Sequence, residues 1–200
     1  MNFFIGGSPC SGKSTVCEVL AERHGSHAYH CDDHYEAHLS RAPSDSSLTQ
    51  FQQLSWLDAF TTRSLERMIA DELSANDELA AFALEDVNAI GSPVIAEGMP
   101  FMPDVMARLQ PRASAVYLVP SPAFQRDHYA KREWAQGLLA TTADPTGVFE
   151  RWMARDEASA RFIRARATAL GFAVLEVDGQ MSIEETVIRI PLNHFIYSWE

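Results

Sequence analysis

Lysine is almost missing. The chain of 200 residues holds two, Lys13 and Lys131, against a formal net charge of -11. Such a balance excludes a nucleic-acid surface, because neutralising a phosphate backbone requires lysines and arginines gathered on one face. Cysteine is scarce too. Cys10, Cys17 and Cys31 are odd in number and show no C-x-x-C spacing, so neither a disulfide framework nor a zinc ribbon is expected, only reduced thiols. No apolar run approaches the roughly eighteen residues that span a bilayer. The start, "MNFFIGG", lacks the basic and long apolar parts of a secretion signal, so a cytoplasmic protein without a membrane partner is expected. Repeats, low-complexity tracts and linkers are also absent.

What is present is globular: 46% hydrophobic and 22% charged residues, in a length that suits one α/β domain with an inserted segment. The charge is unevenly spread. Fourteen acidic and three basic residues lie between Asp32 and Asp104, whereas eight basic residues face six acidic ones between Ser121 and Leu170.

Five short apolar runs read as strands: "NFFIG", "SHAYHC", "SPVIAEG", "SAVYLVPS" and "GFAVLEVDG". Continuous apolar runs, in place of alternating ones, belong to strands buried on both faces. Helical patterns separate them. One runs from Lys13 to about His24. The stretch "SLTQFQQLSWLDAFTTRSLERMIADEL" spaces its apolar residues near period 3.6, and "NDELAAFALEDVNAI" predicts a second helix after it. Beyond the fourth strand, "SPAFQRDHYAKREWAQGLL" predicts one helix. Another begins at Asp144 as N-cap with Pro145 in its first turn, and "SIEE" opens a last helix with capping-box spacing. Strands alternating with helices give a parallel sheet covered on both faces.

Between the first run and its helix stands Gly7-Ser8-Pro9-Cys10-Ser11-Gly12-Lys13-Ser14-Thr15, a full G-x-x-x-x-G-K-[ST] pattern in its strand-to-helix setting. The glycines let backbone N–H groups and the helix N-terminus wrap a phosphate. Lys13 would reach the β- and γ-phosphates of ATP, and the Ser14 hydroxyl would ligate Mg²⁺. Nothing resembles the N-K-x-D guanine motif.

Carboxylates follow where strands end. Asp32 and Asp33 close the second strand, at the edge where an open parallel sheet receives ligands, and either could accept a hydroxyl proton during phosphoryl transfer. A capping or turn role would suit them as well. Glu97 ends the third strand. In the order 2-3-1-4-5 it neighbours the P-loop strand and could reach the metal, as could Asp32. His34 and Tyr35 are placed to contact an acceptor. Five histidines fall between His24 and His38 without a secure i, i+4 pair, so a zinc site is not expected. Among later cations, Arg126, Lys131, Arg132, Arg151 and Arg155 could close over a triphosphate, with Arg126 and Arg132 as the preferred contacts; ordinary solvated pairing is the other reading.

Taken together, "GGSPCSGKST", "CDDHY" and "VIAEG" resemble the P-loop kinase family that includes uridine kinase and nicotinamide riboside kinase. The resemblance implies a three-layer P-loop fold, Lys13 and Ser14 on triphosphate and metal, Asp32 as proton acceptor beside Asp33, and Glu97 near acceptor and metal. It covers about the first hundred residues. The helical insert, about 40–91, has no matched counterpart. The lid, about 121–156, lacks the usual run of adjacent arginines and looks like a bacterial branch with an "FQ…Y…R…W" helix.

The expectation is a single domain over 1–200 acting as an ATP- and Mg²⁺-dependent kinase on a hydroxyl of a small metabolite, nucleoside-, sugar- or antibiotic-like. A homodimer is allowed by the apolar insert. Two alternatives share the loop. A nucleoside monophosphate kinase would need acceptor arginines, where the insert offers only Arg41, Arg63 and Arg67; a non-catalytic ATP sensor could dispense with Asp32 and Glu97.

Overall fold

The apolar run Phe3–Gly7 forms β1, buried throughout, at the centre of a five-stranded sheet ordered β2-β3-β1-β4-β5. In this computed structural model, which describes residues 2–109 and 115–192, every strand pairing is parallel. The other strands are β2 (His27–His30), β3 (Val94–Glu97), β4 (Ala115–Pro120) and β5 (Ala173–Val177). Ser114, read as part of the fourth strand, lies outside the described residues. The register brings three strand ends together. Ile5 and His30 both stand level with Glu97, so β1, β2 and β3 deliver their carboxyl ends to one place.

Successive side chains of a strand point to opposite faces, and both faces are covered. Phe3, Ile5 and Leu118 pack against Val16 and Leu20 of α1 (Lys13–His24) and Val187 of α10 (Ile183–Arg189). Phe4, Tyr117 and Val119 meet Ala83, Met106 and Ile163 of α5 (Leu65–Ala89), α6 (Pro103–Leu109) and α9 (Pro145–Ala169). The Val, Leu, Ile, Phe and Met side chains among them each contribute roughly 1.5–3 kcal/mol on burial.

The insert departs from its reading in one respect. After α2 (Tyr35–Arg41), which ends where the insert begins, the chain folds as α3 (Ser47–Gln53), α4 (Trp56–Thr61) and the 25-residue α5, so the second predicted helix is the latter half of α5. Serines set the breaks. Ser46, Ser55 and Ser64 each adopt extended backbone and accept a backbone N–H three residues on, which starts a new helix each time.

The lid departs similarly. The single predicted helix is α7 (Pro122–Ala130) and α8 (Glu133–Leu139), parted at Arg132, whose backbone is extended (φ -82°, ψ 118°). Tyr129 and Ala135 are both buried in one cluster with Trp152. Six positions along an unbroken helix would turn Ala135 away from the face of Tyr129, and the break restores the common face. Both predicted caps hold: Asp144 accepts from the Gly147 N–H, and Ser182 with Glu185 forms a complete capping box.

Candidate functional site

Gly7 leaves β1 at φ 135°, where a Cβ would lie 2.0 Å from the Leu118 carbonyl oxygen, so no side chain fits. The loop turns through Cys10, itself left-handed at φ 65°, and enters α1 at Gly12. No side chain caps α1 and no acid occupies its first turn. Its N–H groups therefore remain available to an anion.

The loop is held from within and from α7. Ser11 Oγ and Lys13 Nζ donate to the Ser8 carbonyl at 2.9 and 3.0 Å. Buried Gln125, on α7, donates from Nε2 to Ser8 Oγ at 3.0 Å and to the Pro9 carbonyl at 2.9 Å. Burial pushes the Lys13 ammonium below its ordinary pKa, although the Glu97 and Asp32 carboxylates pull the other way.

Around the loop opens a cleft of about 430 Å³, lined by residues 9–15, Asp32, Glu97, Tyr129, Arg132 and Trp134. Glu97 is buried and accepts the Ser14 hydroxyl at 3.0 Å. His30, read in the sequence only as one of five clustered histidines and not as a site residue, stands 3.0 Å from the same Glu97 oxygen through Nδ1 and 2.7 Å from Glu18 through Nε2. Burial lowers the pKa of His30, but hydrogen bonds to the two carboxylates outweigh it and the net shift is upward. Asp32 follows β2 on a 3₁₀ turn, Cys31–His34, and its exposed carboxylate makes no hydrogen bond among the described residues. Arg132 stacks over Tyr129 and Trp134 at 5.2 and 5.9 Å.

Asp32 also borders a second pocket of about 250 Å³, which shares Pro9 and Met99 with the cleft. Tyr35, Phe51, Glu72, Asn76 and Arg155 are among its other walls. Glu72 is buried and accepts from the Ser159 hydroxyl. Burial raises its carboxyl pKa, opposed by the guanidinium of Arg155 at 3.5 Å.

The structure thus gathers residues 9–15, Asp32, Glu97 and Arg132 in one cleft, with Gly7 and Ser8 behind it and Tyr35 in the adjoining pocket. Other predicted contacts lie elsewhere. Arg126 makes a bidentate pair with Glu150 and stacks on Phe149, so it lines neither space. Asp33 is exposed and also outside both; His34 stacks on Tyr29 at 4.4 Å. Lys131 pairs with Asp127, and Arg151 donates to the Phe60 and Arg63 carbonyls. Arg155 lines the second pocket and not the P-loop cleft. Gln125, Tyr129 and Trp134 were missed as site residues, although the i, i+4 spacing of Gln125 and Tyr129 on one helix face was a usable signal.

A hydroxyl and carboxylates are hard oxygen donors that suit Mg²⁺. Among the described residues no group of three or more His, Cys, Asp or Glu could hold a metal by itself. Ser14 and Glu97, with Asp32 across the cleft, would hold the ion together with water or ligand oxygens. No described helix is long and apolar enough to cross a membrane.

No family model matches the chain, and no curated protein matches it. Solved structures do. Shikimate kinase from Acinetobacter baumannii, in complex with shikimate, superposes with a TM-score of 0.56 at 15% identity, covering 100% of this chain and 95% of that one. Shikimate kinase from Bacteroides thetaiotaomicron gives 0.57 at 15% identity over 98% of each. Deoxyadenosine kinase from M. mycoides, with bound dATP, gives 0.50 at 14% identity over 98% of this chain and 100% of that one. At such identities the likeness establishes the fold: a three-layer α/β P-loop fold with the sheet order 2-3-1-4-5.

Proposed function

We propose that the chain is an ATP- and Mg²⁺-dependent kinase that transfers the γ-phosphoryl group to a hydroxyl of a small metabolite. One observation carries the reading: Asp32 lies on the boundary between the P-loop cleft and a second, smaller pocket, where a donor phosphate and an acceptor hydroxyl would meet. The structural neighbours, kinases of small molecules, support it. Within this class the motifs "CDDHY" and "VIAEG" favour a position near uridine kinase and nicotinamide riboside kinase.

The residues divide the work. Loop N–H groups and Lys13 hold the triphosphate, and Arg132 offsets charge that develops on the transferred group. Asp32 accepts the hydroxyl proton and aligns the attacking oxygen. Ser14 and Glu97 would hold Mg²⁺, which supplies charge neutralisation between phosphate oxygens when bound. Tyr129 and Trp134 shield the cleft from water that would hydrolyse ATP. A monophosphate acceptor is disfavoured, because Arg41 pairs with Glu85 and Asp86 while Arg63 and Arg67 both pair with Asp71.

Asp32→Asn tests the reading. Transfer should fall by at least about a hundredfold, while the thermal stabilisation by Mg²⁺-ATP persists; a fully active variant removes Asp32 from the mechanism.

A further inference from the structure

A small pocket of about 130 Å³ opens between α3 and α5. Arg63, Arg67 and Asp71 are its charged walls, with Gln50 and Ser74 beside them. It shares Phe51 with the Asp32 pocket, but neither Asp32 nor any wall of the P-loop cleft.

The charges there do not balance. Arg63 donates from Nη1 to Asp71 Oδ2, and Arg67 Nε stands 2.8 Å from Asp71 Oδ1, so one carboxylate serves two guanidiniums. Among the described ion pairs every other paired arginine has a carboxylate of its own, and Arg41 and Arg155 have two each. Acid is not scarce in this part of the chain, where fourteen acidic residues and three basic ones lie between Asp32 and Asp104. Two of those three bases nonetheless meet at this pocket. Like charges held together cost free energy unless opposite charge offsets both, and Asp71 offsets one.

The donors suit an oxyanion. Asp71 engages Nη1 of Arg63 and Nε of Arg67, while Nε and Nη2 of Arg63 and both Nη atoms of Arg67 make no hydrogen bond among the described residues. Planar guanidinium forks match phosphate oxygens two at a time. The Ser74 hydroxyl, equally without a hydrogen bond among the described residues, adds another donor to the same walls. Arg63 is set in place, since its carbonyl accepts from Arg151 and its side chain is only 25% exposed. The volume suits a single phosphate group and not a nucleotide. Because Asp32 is not a wall, an anion held here lies outside the space where transfer would occur, which separates it from an acceptor phosphate.

We propose that this pocket binds a small phosphate-class oxyanion, free phosphate or a phosphate monoester, between Arg63 and Arg67. The site is independent of the kinase reading.

Calorimetric titration of the whole chain with inorganic phosphate and with glycerol phosphate, at constant ionic strength, tests it. A P-loop also takes phosphate, so the titrated chain carries Lys13→Met. At least one compound should bind with a Kd of about 1 mM or tighter, and the tighter of the two tells free phosphate from ester. Adding Arg67→Gln should weaken that binding at least about tenfold. Arg161→Gln removes the same charge from an arginine equally exposed, at 63%, and should change the affinity less than about twofold. In the chain with Lys13 intact, Arg67→Gln should leave Mg²⁺-ATP affinity unchanged, with a melting curve to confirm the fold. Binding of neither compound, equal losses from Arg67→Gln and Arg161→Gln, or a folded Arg67→Gln variant that loses Mg²⁺-ATP affinity overturns the proposal. Failure of the kinase reading would appear instead as absent turnover, with phosphate binding and its loss in Arg67→Gln intact.

Discussion

His30 Nδ1 and Ser14 Oγ meet on one oxygen, Oε1 of Glu97, each at 3.0 Å. The level register of His30 and Glu97 on neighbouring strands makes this contact possible, and it fixes a carboxylate that would otherwise be free to rotate at the floor of the cleft. On the proposed reading, His30 is a positioning residue for Glu97.

Its titration gives a prediction with a definite sign. The pKa of His30 is raised in the folded protein, so its contribution to stability is fully present below its ordinary value of about 6.5 and is lost as pH rises through the folded value. The stability difference between the wild type and His30→Gln should therefore shrink as pH is raised from 6 toward 9. Urea denaturation at several pH values measures it, and a difference that grows over that range contradicts the assignment.

Lys13→Met should remove the melting-temperature rise that Mg²⁺-ATP causes. The ligand-free variant should melt no lower than wild type, because burial disfavours the ammonium and its removal relieves that cost. A ligand-free variant that is clearly destabilised would show Lys13 to be a structural group first.

Gln125→Ala deprives Ser8 Oγ and the Pro9 carbonyl of their shared donor. A loss of about 1–3 kcal/mol in stability is expected, together with weaker Mg²⁺-ATP binding as the loop loses its brace. Calorimetric titration and chemical denaturation read the two effects separately. Unchanged affinity in a destabilised variant would confine Gln125 to the fold.

Two charged residues should contrast in denaturation. Arg126 and Glu150 form an exposed pair, so Arg126→Ala should cost no more than about 1 kcal/mol. Glu72→Ala leaves the buried Arg155 short of one carboxylate and should cost about 3–5 kcal/mol. Equal effects would mean that Arg155 reaches water or relies on Asp156 alone.

Arg132→Gln tests the lid. Removing one aimed donor should lower kcat by about a hundredfold or more with a smaller change in KM for ATP. A pure KM effect would place Arg132 in ground-state binding.

Much of this protein is local and therefore written in its sequence. The strand, loop and helix from Phe3 to His24 follow from an apolar run, the conformational freedom of Gly7 and Gly12, and helical periodicity, all within one short stretch. The capping box at Ser182 and the cap at Asp144 are equally local, since their donors and acceptors lie three residues apart. Carboxylates at strand ends could be assigned to the cleft because parallel strands in this order finish together. The serine caps of the insert are local as well, but the reading followed only the apolar stripe that continues across them.

Tertiary structure decided the rest. Which arginine lines the P-loop cleft depends on a helix break at Arg132 and on whether a carboxylate such as Glu150 stands opposite, and neither is set by neighbours in the chain. The link from His30 to Glu97 spans 67 positions and the one from Gln125 to Ser8 spans 117. An aromatic chamber beside the Asp32 pocket draws its walls from α3, α4, α8 and α9. The glycine loop and the helix start behind it are legible in the chain because they are contiguous; the pockets beside them arise only when distant helices pack, because their walls are shared between segments that have no local interaction with one another.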